Sequence, residues 1–236
     1  MTSEYRVFKS RRRVRVGDCD QNGIVRVDAI ARYLQDIGYD DTDDIGVGDG
    51  GYWVARSISM NFPDAADWPK RNEWIDLETF CGGVGRAFAQ RIVNVYVDGI
   101  LKTQASTDWV CVNETGKPIA IPNWLLEAYP QAKPAKAARS LEIINLEDNF
   151  EGRIEPWYLR ASDLDINGHV NNAVAFNAIY EISQLLKAPT PQNVLIEYHK
   201  PLSAEDKIHL YIRESEIGFD AWLVSDKNVA AAMRWN

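Results

Sequence analysis

Asp165, Asn167 and His169 stand at alternate positions of the run Asp163-Leu164-Asp165-Ile166-Asn167-Gly168-His169-Val170-Asn171-Asn172. A carboxylate, an amide and an imidazole in that order supply a charge, a neutral positioning group and a proton carrier that works near neutral pH, which together suit the activation of water. His169 is one of 3 histidines in the chain and sits among polar groups rather than in an apolar stripe, so it stands out from a histidine that merely packs. Asp165 and Asn167 are also residue types that cap helices, and that simpler reading stands beside the chemical one.

The flanking elements must hold these groups together. Trp157, Leu159 and Ala161 alternate with Tyr158 and Arg160 as in a strand that leads into the turn. After the turn, Val170, Val174, Ala178, Ile179, Ile182, Leu185 and Leu186 recur at spacings of three and four, which predicts a helix that ends before Pro189. Backbone N–H groups near Gly168 and Val170 would then lie at the positive helix end, where they suit a developing oxyanion.

The same pattern occurs 145 residues earlier, where Asp18-Cys19-Asp20-Gln21-Asn22-Gly23-Ile24-Val25 matches the later run at Asp, Asp, Asn, Gly and Val. The chain therefore reads as a tandem repeat of one strand-turn-helix unit. Ile24 stands where His169 stands in the second copy, which places the chemistry in the second half. Cys19 has Leu164 as its counterpart, a substitution that argues for packing rather than a nucleophile.

The stretch from Asp163 to Asn172 resembles the signature of acyl-acyl carrier protein thioesterases, the plant and bacterial family with two hot dog domains in one chain. Tyr33-Leu34-Gln35-Asp36, in the first predicted helix, adds to the resemblance. It implies an α+β fold of two tandem hot dog domains, each a curved antiparallel sheet wrapped around a central helix. By the same resemblance, Asp165, Asn167 and His169 are the catalytic residues of a thioester hydrolase that releases a fatty acid from acyl carrier protein, with no metal or redox cofactor. The alternatives are an acyl-CoA thioesterase, or an acyl-thioester binding protein that no longer hydrolyses. The family's tunnel for an acyl tail suggests Tyr33, Ile37, Trp53, Phe80, Phe88, Trp109 and Phe176 as lining residues, although each also suits an ordinary core. One position departs from the family. Its members carry a glutamate shortly after a Glu-Tyr-Arg-Arg type strand, and the matching stretch Glu197-Tyr198-His199-Lys200-Pro201-Leu202 has Pro201 there. Glu197 is no evident substitute, since residues four apart on one strand face are about 13 Å apart.

Composition is that of a globular chain: 236 residues with 46% hydrophobic and 25% charged, and no run approaching the ~20 apolar residues of a membrane span. The start lacks an apolar signal core, which points to the cytoplasm. A net charge of -8 argues against a nucleic-acid partner. It would also repel an acidic carrier protein unless local cations such as Arg11, Arg13 and Arg15 compensate. The expected partner is an acyl carrier protein or coenzyme A thioester of a fatty acid, acted on by a monomer or homodimer. The repeat, and the Pro-, Ala- and Lys-rich stretch near residue 135, divide the chain into a first hot dog domain over 1–130, a linker over 131–150 and a second domain over 151–236. Four strands are expected after each helix. Gly82-Gly83-Val84-Gly85 is expected to interrupt the first sheet as a bulge or tight turn.

Overall fold

A computed structural model of the chain describes residues 6–46, 51–135, 141–144, 150–165 and 168–236. It divides into two compact units, Met1–Ala138 and Arg139–Asn236.

The first unit opens with strand β1 (Phe8–Arg13), whose Lys9, Arg11 and Arg13 are exposed while the intervening positions are half-buried. A short 3-10 turn follows, and then helix α1 (Val27–Ile45). Val27, Ile30, Leu34 and Ile37 form its buried stripe at the spacing of one helix face. Strands β2 (Tyr52–Asn61), β3 (Trp74–Val84), β4 (Phe88–Val97) and β5 (Ile100–Val112) form an antiparallel sheet in the order β1-β3-β4-β5-β2. The glycine run makes the expected bulge without ending the strand. Strand β3 continues to Val84 through a bulge between Cys81 and Gly83. Gly83 is required because a short strand, β6 (Lys133–Pro134), pairs parallel to it, and a Cβ there would come within 2.6 Å of the Ala135 side chain. A short helix, α2 (Asn123–Ala128), precedes β6. Leu125 and Tyr129 pack with Cys81 and Ala89 in an apolar cluster that includes Trp53 and Trp124.

The second unit repeats the order of strand, helix and four strands. Strand β7 (Arg153–Trp157) leads through a 3-10 turn to α3 (Val174–Leu186), followed by β8 (Asn193–Tyr198), β9 (Ile208–Ser215), β10 (Gly218–Ser225) and β11 (Asn228–Trp235). Within the unit the strand order is β8-β11-β10-β9-β7. Phe176, Ile179 and Ile182 of α3 are fully buried, and each such side chain is worth roughly 1.5–3 kcal/mol of burial. Leu141 to Ile144 packs on the sheet beside Trp222, whose indole N–H donates to the Glu142 carbonyl at 2.8 Å. Part of the stretch expected to be linker is therefore built into the second unit's packing.

Candidate active site

Among the described residues, the bonds that close the second copy of the repeated turn recur in the first. In the first, Asp20 N–H donates to the Ile24 carbonyl at 2.8 Å, and Gly23 N–H to the Asp20 carbonyl at 3.1 Å. In the second, Asp165 N–H donates to the His169 carbonyl at 2.7 Å, and Gly168 N–H to the Asp165 carbonyl at 3.0 Å. The carboxylate of Asp20 accepts the Ile24 N–H at 2.9 Å, and that of Asp165 accepts the His169 N–H at 3.0 Å. Isolated bridges close the two turns at Cys19–Val25 and Leu164–Val170. Gly23 and Gly168 take φ of 79° and 76°, the left-handed region that glycine enters without strain.

The preceding residues repeat as well. Each 3-10 turn is capped by an aspartate: Asp18 accepts the Arg15 N–H at 2.8 Å, and Asp163 accepts the Arg160 N–H at 2.7 Å. The carbonyls of Asp18 and Asp163 then take the N–H groups of Arg26 and Asn171, at 2.9 and 2.8 Å. An aspartate present in both copies was the sequence signal for this frame.

The helices differ. Val27, the first residue of α1, corresponds to Asn172, yet α3 begins only at Val174 and not at Val170 as the apolar spacing suggests. Asn171 takes over the start: its side chain accepts the Ala173 N–H at 2.8 Å, and its carbonyl the Val174 N–H at 2.9 Å. Val170 consequently lies before the helix. Its N–H donates to the Leu202 carbonyl at 3.3 Å.

Asp165 and His169 thus belong to one tight turn, with Asp165 half-buried and His169 exposed. Asn167 lies outside the described residues. The N–H of Gly168 is held by Asp165, so neither proposed backbone donor stands idle. The bond from Val170 to Leu202 places the loop after β8 against the motif, and Pro201 is the residue before that carbonyl. Strand β8 ends at Tyr198, so Pro201 lies in this loop rather than on a strand face shared with Glu197. Glu197 is buried, pairs with Ala232, and accepts the Leu141 N–H at 3.3 Å. By alternation it points from the face that carries Trp222, whose partner is also Ala232, and away from the face of Tyr198. Asp206 serves the loop itself. The Ser203 N–H, donating at 2.6 Å, and the Ser225 hydroxyl at 3.0 Å hold its carboxyl below the usual range. Glu205 is exposed.

Sequence reasoning passed over Tyr198. Its hydroxyl donates to the Asn172 carbonyl at 2.7 Å, and burial pushes it far above the ordinary phenol range. It stands three residues before Pro201, which marked the stretch but not the partner of the hydroxyl.

The acyl-lining candidates do not share one face. Arg91 reaches Asp41 of α1 at 2.5 Å and so marks the helix side of the first sheet. Ala89 lies two residues from Arg91 on that side, and pairing places Trp109 beside Ala89, with Trp53 beside Cys111 two residues further along β5. Tyr33 and Ile37 are buried on α1. Phe80 pairs with Ile92, and Phe88 with Val110, on the opposite face. Phe88 packs over Gly85, where a Cβ would come within 2.2 Å of its ring. Phe176 is fully buried in the second unit. The Tyr33 hydroxyl donates to Asp18 at 2.6 Å, and burial together with that bond raises its pKa.

The N-terminal domain of acyl-ACP thioesterases matches residues 5–129, and the C-terminal domain matches residues 146–236. The chain belongs to the acyl-ACP thioesterase family. It is 24% identical over 245 residues to the chloroplastic oleoyl-acyl carrier protein thioesterase 1 of Arabidopsis thaliana, covering 92% of this chain and 67% of that protein. Its fold is that of solved structures. An acyl-ACP thioesterase from Bacteroides thetaiotaomicron superposes with a TM-score of 0.82 at 20% identity, over 96% of each chain. The 12:0-ACP thioesterase from Umbellularia californica gives 0.80 at 16% identity, over 98% of this chain and 97% of that one. The tandem hot dog architecture expected from the motif is therefore the one observed. Among the described residues, no group of three or more His, Cys, Asp or Glu is placed to hold a metal ion, and no helix is long and apolar enough to cross a membrane.

Proposed function

We propose that this chain hydrolyses fatty acyl thioesters of acyl carrier protein, with the second copy of the repeated turn as the reacting site. Family membership supports the reaction. The observation that carries the site is that two turns of matching backbone geometry differ where proton transfer would need it, His169 against Ile24. His169 takes a proton from water as the water oxygen attacks the thioester carbonyl carbon. The tetrahedral intermediate then expels the pantetheine sulfur, the C–S bond breaks, and His169 returns the proton to the leaving thiolate. Asp165 fixes the backbone of His169 and places negative charge beside the imidazolium that forms, while Asn167 positions water or carbonyl. Of the two backbone donors, the Val170 N–H is the one we assign to the oxyanion, because its 3.3 Å bond to Leu202 is longer than that of Gly168 and is exchanged more cheaply. The acyl tail is assigned to the apolar interior around Tyr33, Ile37, Trp53 and Trp109, and the place of action to the cytoplasm. Coenzyme A presents the same pantetheine arm and is the alternative carrier.

Pro201 favours a second reading, a relative that binds acyl thioesters without hydrolysing them, because proline supplies no carboxylate to orient water. The two readings separate in thiol release from acyl-ACP and acyl-CoA series by the wild type, His169→Ala and Asp165→Asn. The asparagine retains an oxygen for the His169 N–H and removes only the charge. Hydrolysis is expected to fall by roughly 10²–10⁴-fold without His169. A His169→Ala protein that folds and still hydrolyses at the wild-type rate excludes the assignment.

A further inference from the structure

We propose that Tyr198 is a positioning residue for His169, fastening the backbone just after the turn through its hydroxyl; this rests on the thioesterase reading above. At rest the stretch that leaves His169 is held at three consecutive residues by three different segments, of which only the first, at Val170, is given up to the oxyanion in the reaction proposed above. Val170 donates to the Leu202 carbonyl at 3.3 Å, Asn171 donates to the Asp163 carbonyl at 2.8 Å, and the Asn172 carbonyl accepts the Tyr198 hydroxyl at 2.7 Å. The first two bonds join backbone to backbone and recur in the first copy, where Val25 donates to Pro69 at 2.9 Å and Arg26 to Asp18 at 2.9 Å. The third depends on a side chain.

Its need follows from the late start of α3. In the first copy, Val27 opens the helix, and its carbonyl lies inside α1. In the second copy the corresponding residue, Asn172, lies two residues before the helix. The Ala175 N–H reaches its carbonyl at only 3.3 Å, a weak bond. The Tyr198 hydroxyl is the closer donor. It comes from the last paired position of β8, opposite Ala231, and so ties the turn to the rigid sheet. The delayed helix leaves the Asn172 carbonyl outside the regular helical bonding that its counterpart Val27 has, and Tyr198 fixes it instead.

Tyr198→Phe keeps the ring and deletes the bond. Misplacement of a reacting group by about 1 Å costs up to roughly 10²-fold, so kcat on acyl-ACP is expected to fall about tenfold or more, with KM within about twofold. The His169 imidazole C–H resonances, assigned through His169→Ala, are expected to shift while those of His209 in β9 stay in place. Ile182→Val, which trims the core away from the turn, is expected to lower Tm without lowering kcat. A Tyr198→Phe protein with wild-type kcat and unmoved His169 resonances overturns the proposal, as does an equal loss of kcat in Ile182→Val at the same loss of Tm. Shifted resonances in a protein whose wild type hydrolyses neither carrier would sustain the positioning role and refute the thioesterase reading.

Discussion

Pro201 immediately precedes Leu202, whose carbonyl takes the Val170 N–H, so the backbone at Pro201 runs close to the turn that carries His169. Two of the nearby carboxylates are engaged elsewhere: Glu197 serves Leu141 from the opposite sheet face, and Asp206 caps its own loop. A site with one acid-base group rather than two should work slowly, because a correctly placed proton acceptor contributes roughly 10²–10⁴-fold. Pro201→Glu is therefore expected to raise kcat on acyl-ACP by about tenfold, measured with His169→Ala as background, and the gain should vanish in Pro201→Glu combined with His169→Ala. The residue types of the site were legible in the sequence because chemistry is local: Asp165 and His169 do lie on one turn. The role of Tyr198 was not, since it depends on α3 starting at Val174, four residues later than the apolar spacing from Val170 suggests and two later than α1 in the first copy.

At the scale of elements, the two turns offer a controlled comparison. Gly23 and Gly168 both have positive φ, and an added Cβ would meet nothing closer than 3.8 Å at Gly23 and nothing within 4 Å at Gly168. Alanine at either position thus introduces backbone strain without a clash, about 1–2 kcal/mol. Urea unfolding is expected to show similar losses for Gly23→Ala and Gly168→Ala, whereas only Gly168→Ala should also lower kcat. Equal kinetic effects would contradict the assignment of chemistry to the second copy. The order of strand, helix and four strands was legible in both halves from the two hydrophobic periods. The facing of side chains was less so. Phe80 and Phe88 fall on the side away from α1 because register, not aromatic character, sets the face. The bulge at Cys81/Gly83 was legible in its glycines, whereas the one at Ala55/Ser57 has no such mark and arises from tertiary pairing. The pairing of β6 with β3 was hidden for a similar reason, as a two-residue strand has no period.

At the scale of the molecule, distant parts of the first unit are tied together at a fully buried carboxylate. Asp41 is fully buried in α1 and accepts from Arg6 at 2.9 Å, from Arg91 at 2.5 Å, and from the hydroxyl of Tyr129. These partners lie before β1, on β4 and just after α2, so one carboxylate ties together parts that are distant in sequence. Burial and the bond to Asp41 push Tyr129 up to about 12 despite the nearby Arg91. Asp41→Ala leaves two guanidinium groups without that carboxylate and is expected to cost about 3–5 kcal/mol, read as a lower urea midpoint; a loss below about 1 kcal/mol would show that the cluster is solvated rather than buried. The sequence did carry a signal for Asp41 among the acids of Asp40-Asp41-Thr42-Asp43-Asp44, since it follows Ile37 by four residues and so continues the stripe of Val27, Ile30, Leu34 and Ile37, but its partners are set by packing of distant segments. The most direct measurement is the appearance of free thiol and free fatty acid when the wild-type chain is mixed with a fatty acyl carrier protein. Equal amounts of both products over many turnovers, abolished by His169→Ala, are the expected result. A stable complex with the acyl carrier protein and no thiol released would contradict hydrolysis and leave acyl-thioester binding as the function.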